Sequence, residues 1–189
     1  MDSAPWTRPV VAACTRGARR MLCALLLLGA AAGGLAQPAS EHAVKAGFVF
    51  NFIKFTQWPA GDEAVSAPLR LCSTGAEALQ GQLAQLQGRA MGGRALEVVP
   101  GAVAAKVRQC DVLFIGEGDA DRLDALLRGL GNAPVLTVGD LPGFVQAGGM
   151  IGLRIEANRV RFDVNLAAAQ RSGLVLNSQM LKLAGKVLQ

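Results

Sequence analysis

DVLFIGEGDADRLDALLRGLGNAPVLTV, residues 111–138, is the stretch that decides the fold. Asp111 to Ile115 is almost continuously apolar and short, as expected of a strand buried on both faces. Asp119 to Leu130 then places Leu123, Leu126, Leu127 and Leu130 at helical spacing, with Asp119, Asp121 and Asp124 where a helix dipole favours anions. Gly131-Asn132 stops that helix, and Pro134 to Val138 reads as a second buried strand. This β-α-β succession argues for a mostly parallel sheet with helices on its faces.

Working upstream, Leu69 to Ser73 reads as a strand, Glu77 to Gln87 as a helix with Leu79, Leu83 and Leu86 on one side, and Leu96 to Val99 as another strand. Ser40 is placed to cap a helix from Glu41 to about Gln57, ended by Trp58-Pro59. Its apolar residues, among them Val44, Phe48, Phe52 and Phe55, occupy almost every bearing, which predicts a helix buried all round. Lys54 must then find a polar partner or an edge. Downstream the pattern changes to strict alternation: Ile151, Leu153 and Ile155, then Val160, Phe162 and Val164, an antiparallel hairpin turning at Ala157-Asn158. A two-residue turn sets Glu156 opposite Arg159 and Arg154 opposite Arg161. Opposed arginines repel. Either the diagonal neighbours Glu156 and Asp163 neutralise them or they await an acidic partner. A short helix from Leu166 to Arg171 and a final helix from Ser178 to Leu188 complete the expected order: a single three-layer α/β domain.

The chain opens with Arg8, Arg16, Arg19 and Arg20 against one acid, Asp2, followed by an uncharged run from Met21 to Ala32. That run suits the core of an export signal, since roughly 20 apolar residues are needed to span a bilayer. Residues 1–36 therefore read as a cleavable signal peptide, cut after Ala36. Residues 37–189, the expected domain, hold fifteen Lys/Arg against thirteen Asp/Glu, so the basic balance belongs mainly to the discarded segment. No basic run remains to suggest a nucleic-acid partner. Cys14 and Cys23 leave with the signal, and Cys72 and Cys110 stay. An even thiol count in an exported chain reads first as a disulfide. Two free buried thiols or a metal site are the alternatives, the latter short of ligands because His42 is the only histidine.

The same scarcity argues against Ser-His-Asp or Cys-His catalysis. Gly116-Glu117-Gly118 sits between a strand and a helix, as a phosphate loop does, but it lacks a third glycine, and Glu117, Asp119 and Asp121 repel a phosphate. It reads as a turn. The residue chemistry points away from an enzyme and calls for no cofactor.

Several stretches together resemble the YfiR family of bacterial periplasmic proteins: VFNFIKFTQWP (49–59), CDVLFI (110–115), PVLTVGD (134–140), GGMI (148–151), RFDVN (161–165) and SQMLKLA (178–184). The resemblance implies a regulatory binder that inhibits an inner-membrane diguanylate cyclase through its periplasmic sensor region, lowering cyclic di-GMP and biofilm formation. It also implies an outer-membrane lipoprotein with a peptidoglycan-binding domain as a sequestering partner, and a structural disulfide between Cys72 and Cys110. A second cysteine pair of some members is absent, its segment holding Val145 and Gly152 here. Strands paired in register would separate Cys72 from Cys110 beyond the roughly 7 Å a disulfide allows, so the second strand must begin earlier, near Val107, or be staggered.

Candidate contacts for a protein partner are Met150, Ile151, Arg154, Arg161 and Asp163, and the hairpin edge can pair with a second copy. The alternative reading is a periplasmic small-molecule binder with Lys54 and Trp58 lining a crevice beyond the strand ends. A third, a hydrolase, requires a carboxylate pair in a cleft.

Overall fold

The structure, a computed structural model, describes residues 40–59 and 67–189. The export signal read at residues 1–36 lies outside the described residues. Ser40 caps the first helix as expected: its Oγ accepts the Ala43 backbone N–H at 3.2 Å, and α1 runs Glu41–Lys54. The helix stops at Lys54, short of Gln57, because Thr56–Gln57 forms the short strand β1, paired with Leu176 and Val175. There follow β2 (Leu69–Thr74), α2 (Glu77–Ala84), β3 (Ala90–Met91), β4 (Arg94–Val99), a 3-10 turn (Ala104–Gln109) and β5 (Val112–Ile115). A second 3-10 turn (Glu117–Arg122) leads into α3 (Leu123–Leu130), then β6 (Leu136–Gly139), β7 (Ile151–Glu156), β8 (Arg159–Asn165), α4 (Leu166–Arg171), β9 (Val175–Leu176), α5 (Ser178–Leu181) and β10 (Val187–Leu188).

Eight strands form one mixed sheet in the order β10-β8-β7-β6-β5-β2-β4-β3, and β1 pairs separately with β9. Within the large sheet only β7–β8 and β3–β4 are antiparallel. Alternation along each strand divides the interior in two. Leu71, Val112, Phe114, Val138, Ile151 and Phe162 pack with α1 and α2 on one face. Cys72, Leu113 and Ile115 pack with Leu123, Leu126 and Leu130 of α3 on the other. Each such side chain contributes about 1.5–3 kcal/mol by leaving water, and their two-sided burial explains why β5 reads as an unbroken apolar run.

Two expectations are corrected. Helix α1 is not buried all round: Glu41, His42, Gly47, Asn51 and Lys54 are exposed, because the sheet covers one side of it. The final helix is only the turn α5, after which the chain extends and pairs β10 with β8 in parallel at Val164 and Asn165. Gly185 lies close against the hairpin in this passage. A Cβ there would collide with Arg154 Nη2 and Asp163 Oδ1, and its N–H donates to Phe162 O at 2.8 Å. Strand pairing thus overrides the helical spacing of the C-terminal stripe.

Cys72 and Cys110 are bonded, with Cα atoms 5.9 Å apart. Cys72 faces Leu113 in the β2–β5 register, so a straight strand would carry Cys110 about 10 Å away. Cys110 instead caps the first 3-10 turn, which lays it and Val107 over the sheet face that Cys72 occupies.

Candidate functional site

Helix α1 carries a lysine into the interior. Lys45 is 7% exposed and shares, at helical spacing, the buried face of Val49 and Phe52. A buried ammonium is costly unless paired. Lys45 Nζ donates to Asp140 Oδ2 and Glu41 Oε1, each at 2.8 Å. Burial alone would push the ammonium down, but the hydrogen bonds to Asp140 and Glu41 outweigh it and hold Lys45 above its ordinary value of 10.5. The hydrogen bond from Lys45 likewise holds the Glu41 carboxyl below its ordinary value.

Asp140 directly follows β6, Gly75 follows β2 and Gly116 follows β5, so they meet beyond the carboxyl ends of parallel strands. The chain leaves β2 for β4 on one side and returns to β5 on the other, the switch at which open α/β sheets form a crevice. Two cavities of about 460 and 360 Å³ share Glu41, Lys45, Glu117 and Asp140. Their lining carries the carboxylates of Glu41, Glu77, Glu117, Asp140 and Asp163 against only Lys45 and Arg154 as cations. A crevice of this charge repels phosphate. The glycines have a packing role: a Cβ on Gly75, where φ is +58°, would collide with the Asp119 backbone N, and one on Gly116 with the Gly75 carbonyl. They let the loops after β2 and β5 touch, as a turn reading of Gly116-Glu117-Gly118 requires. A lysine held protonated is a poor nucleophile, and Lys45 serves here as the ion-pair partner of Glu41 and Asp140.

The second charged region is the β7–β8 hairpin. Its register sets Arg154 opposite Arg161 and Glu156 opposite Arg159. Arg154 Nη1 donates to Glu156 Oε2 at 2.6 Å and its Nε to Asp163 Oδ2 at 3.2 Å. The guanidinium holds the Glu156 carboxyl below its ordinary value. Neutralisation is one-sided: among the described residues Arg159 and Arg161 make no ion pair, and both are exposed.

Of the residues read as partner contacts, Arg161 is exposed and Arg154 half-buried, whereas Asp163 is buried against Arg154. Met150 and Ile151 are 5% and 0% exposed. They are core residues here, because the β6–β7 pairing carries Ile151 beneath α1, and they offer no surface. Lys54 is exposed, and Trp58 is half-buried with its indole N–H donating to Asp111 O at 3.2 Å; neither lines the crevice. The residues missed by the sequence reading are Lys45 and Asp140. The one legible signal was Glu41 and Lys45 at i, i+4; the partnership with Asp140 spans the fold. Among the described residues no three His, Cys, Asp or Glu side chains are grouped to hold a metal ion, and no helix is long and apolar enough to cross a membrane.

A model of the YfiR/HmsC-like family matches residues 42–185. The chain belongs to this family. The match takes in both bonded cysteines, α1 from His42 onward, the strand-end crevice apart from Glu41, and the whole hairpin of this YfiR/HmsC-like domain. A solved structure, a conserved domain protein from Vibrio cholerae O1 biovar eltor, is similar with a TM-score of 0.52 at 12% identity; the alignment covers 78% of this chain and 60% of that one. That likeness concerns the fold alone, and the chain spans less than two thirds of that protein. The ABC domain in complex with L-Trp from Streptococcus pneumonia aligns at a TM-score of 0.44 and 11% identity, over 65% of this chain and 55% of that one, which is too low to argue from.

Proposed function

We propose that this protein is an exported, non-enzymatic regulator that binds the periplasmic region of an inner-membrane diguanylate cyclase and inhibits it, lowering cyclic di-GMP and biofilm formation. The family match over residues 42–185 carries the reading. The Cys72–Cys110 bond supports it, because disulfides persist outside the reducing cytoplasm, as does the signal-like segment at residues 1–36. An outer-membrane lipoprotein with a peptidoglycan-binding domain is the sequestering partner in this scheme. The contact surface in this scheme is the solvent-facing side of the hairpin, where, among the described residues, Arg159 and Arg161 make no ion pair.

Deleting the gene in cells that express the cyclase raises cyclic di-GMP, and the periplasmic protein is retained on membranes bearing that cyclase. Unchanged cyclic di-GMP, with the cyclase shown to be present, refutes the reading.

A further inference from the structure

The outer edge of the hairpin is only partly covered. Gly185 N–H donates to Phe162 O and Val164 N–H to Lys186 O, both at 2.8 Å, which turns the main-chain groups of residues 160, 162 and 164 toward the β10 side. Strand β10 pairs only with Val164 and Asn165. Before Gly185 the chain turns away through α5, where Leu183 N–H bonds to Met180 O and Ala184 N–H to Leu181 O. Among the described residues, the N–H and C=O of Val160 and the N–H of Phe162 therefore have no strand partner.

The side chains flanking this edge differ between its two faces. On one lie Arg159 and Arg161, both exposed and without an ion pair among the described residues; the acids of that face, Glu156 and Asp163, are held by Arg154. On the other lie Ile155, 45% exposed, and its cross-strand neighbour Val160, half-buried. An unpaired edge is a template for strand addition, and these faces specify the strand: acidic side chains alternating with apolar ones. A second copy of this chain does not fit, because edge-to-edge pairing would bring Arg159 and Arg161 against the same arginines.

We propose that the free edge of β8 at Arg159–Phe162 receives, as an added strand, an extended segment of the cyclase's periplasmic region in which acidic and apolar residues alternate. The inference rests on the cyclase reading and names the surface and chemistry of that contact.

Binding of the purified periplasmic region of the cyclase to the protein tests it, with amide hydrogen exchange on the complex. Replacing both arginines, Arg159→Glu with Arg161→Glu, weakens binding tenfold or more. Val160→Pro does the same by removing an edge N–H, a change that edge strands tolerate. Arg128→Glu on α3 leaves binding unchanged. In the complex the Val160 and Phe162 amides become protected. Wild-type affinity in the double arginine variant, or a complex that leaves both amides unprotected, overturns the edge assignment while the cyclase reading stands. Absence of any complex with the unmodified protein overturns both. Circular dichroism checks that each variant is folded; should Val160→Pro not fold, the arginine variant and the exchange data decide.

Discussion

Lys45 shows how one residue links the first helix to the strand ends. Its two carboxylate partners come from its own helix and from the end of β6, so the pair fastens α1 over the sheet. Lys45→Met strands the Asp140 carboxylate, and a cost of about 3 kcal/mol is expected from urea unfolding. Adding Asp140→Leu recovers most of it, since removing both partners leaves no uncompensated charge; equal losses in the single and double variants would show that the pair is not coupled. The pH dependence follows from the directions of shift. Glu41 and Glu156 are depressed below 4.5 by Lys45 and Arg154, so their contribution is complete above that value and declines as pH falls through their lower folded values. Lys45, raised above 10.5, contributes fully below that value and loses its contribution only as pH rises through the higher folded value. The urea midpoint is therefore expected to decline toward pH 3, with a shallower decline in Lys45→Met.

At the scale of elements, the hairpin was the most legible part of the chain. Period-two alternation defines β7 and β8, and a two-residue turn predicts the observed pairs Arg154 with Arg161 and Glu156 with Arg159. The turn places Ala157 at φ +48° and Asn158 at φ +60°. Asparagine tolerates that region, but alanine is strained in it. Ala157→Gly should therefore stabilise the protein by about 1 kcal/mol, read as a higher urea midpoint; a lower midpoint would contradict the turn geometry. The last element was the least legible. Met180, Leu181, Ala184, Val187 and Leu188 have helical spacing, but extended backbone at Val187–Leu188 gains hydrogen bonds to β8 that a free helical end would not.

For the whole molecule, the disulfide joins residues 38 apart in sequence, and constraining a loop of that size contributes about 4 kcal/mol on the chain-entropy model. Reduction should lower the urea midpoint accordingly, with neither Cys72 nor Cys110 alkylated before reductant is added; an unchanged midpoint, or alkylation of either cysteine at the outset, would refute the bond's role. The bond sits on the α3 side of the sheet and the Lys45–Asp140 pair on the α1 side, so one chain crosses the sheet to fasten both layers. The α/β class, the parallel strands and the hairpin register were readable from residue order, because apolar periodicity and turn chemistry are local. The inward choice of Lys45 over Lys54, the crevice it shares with Asp140, the approach of Cys110 to Cys72 and the burial of Met150 and Ile151 were not. Each depends on which face of an element meets the sheet, and packing between distant segments settles that.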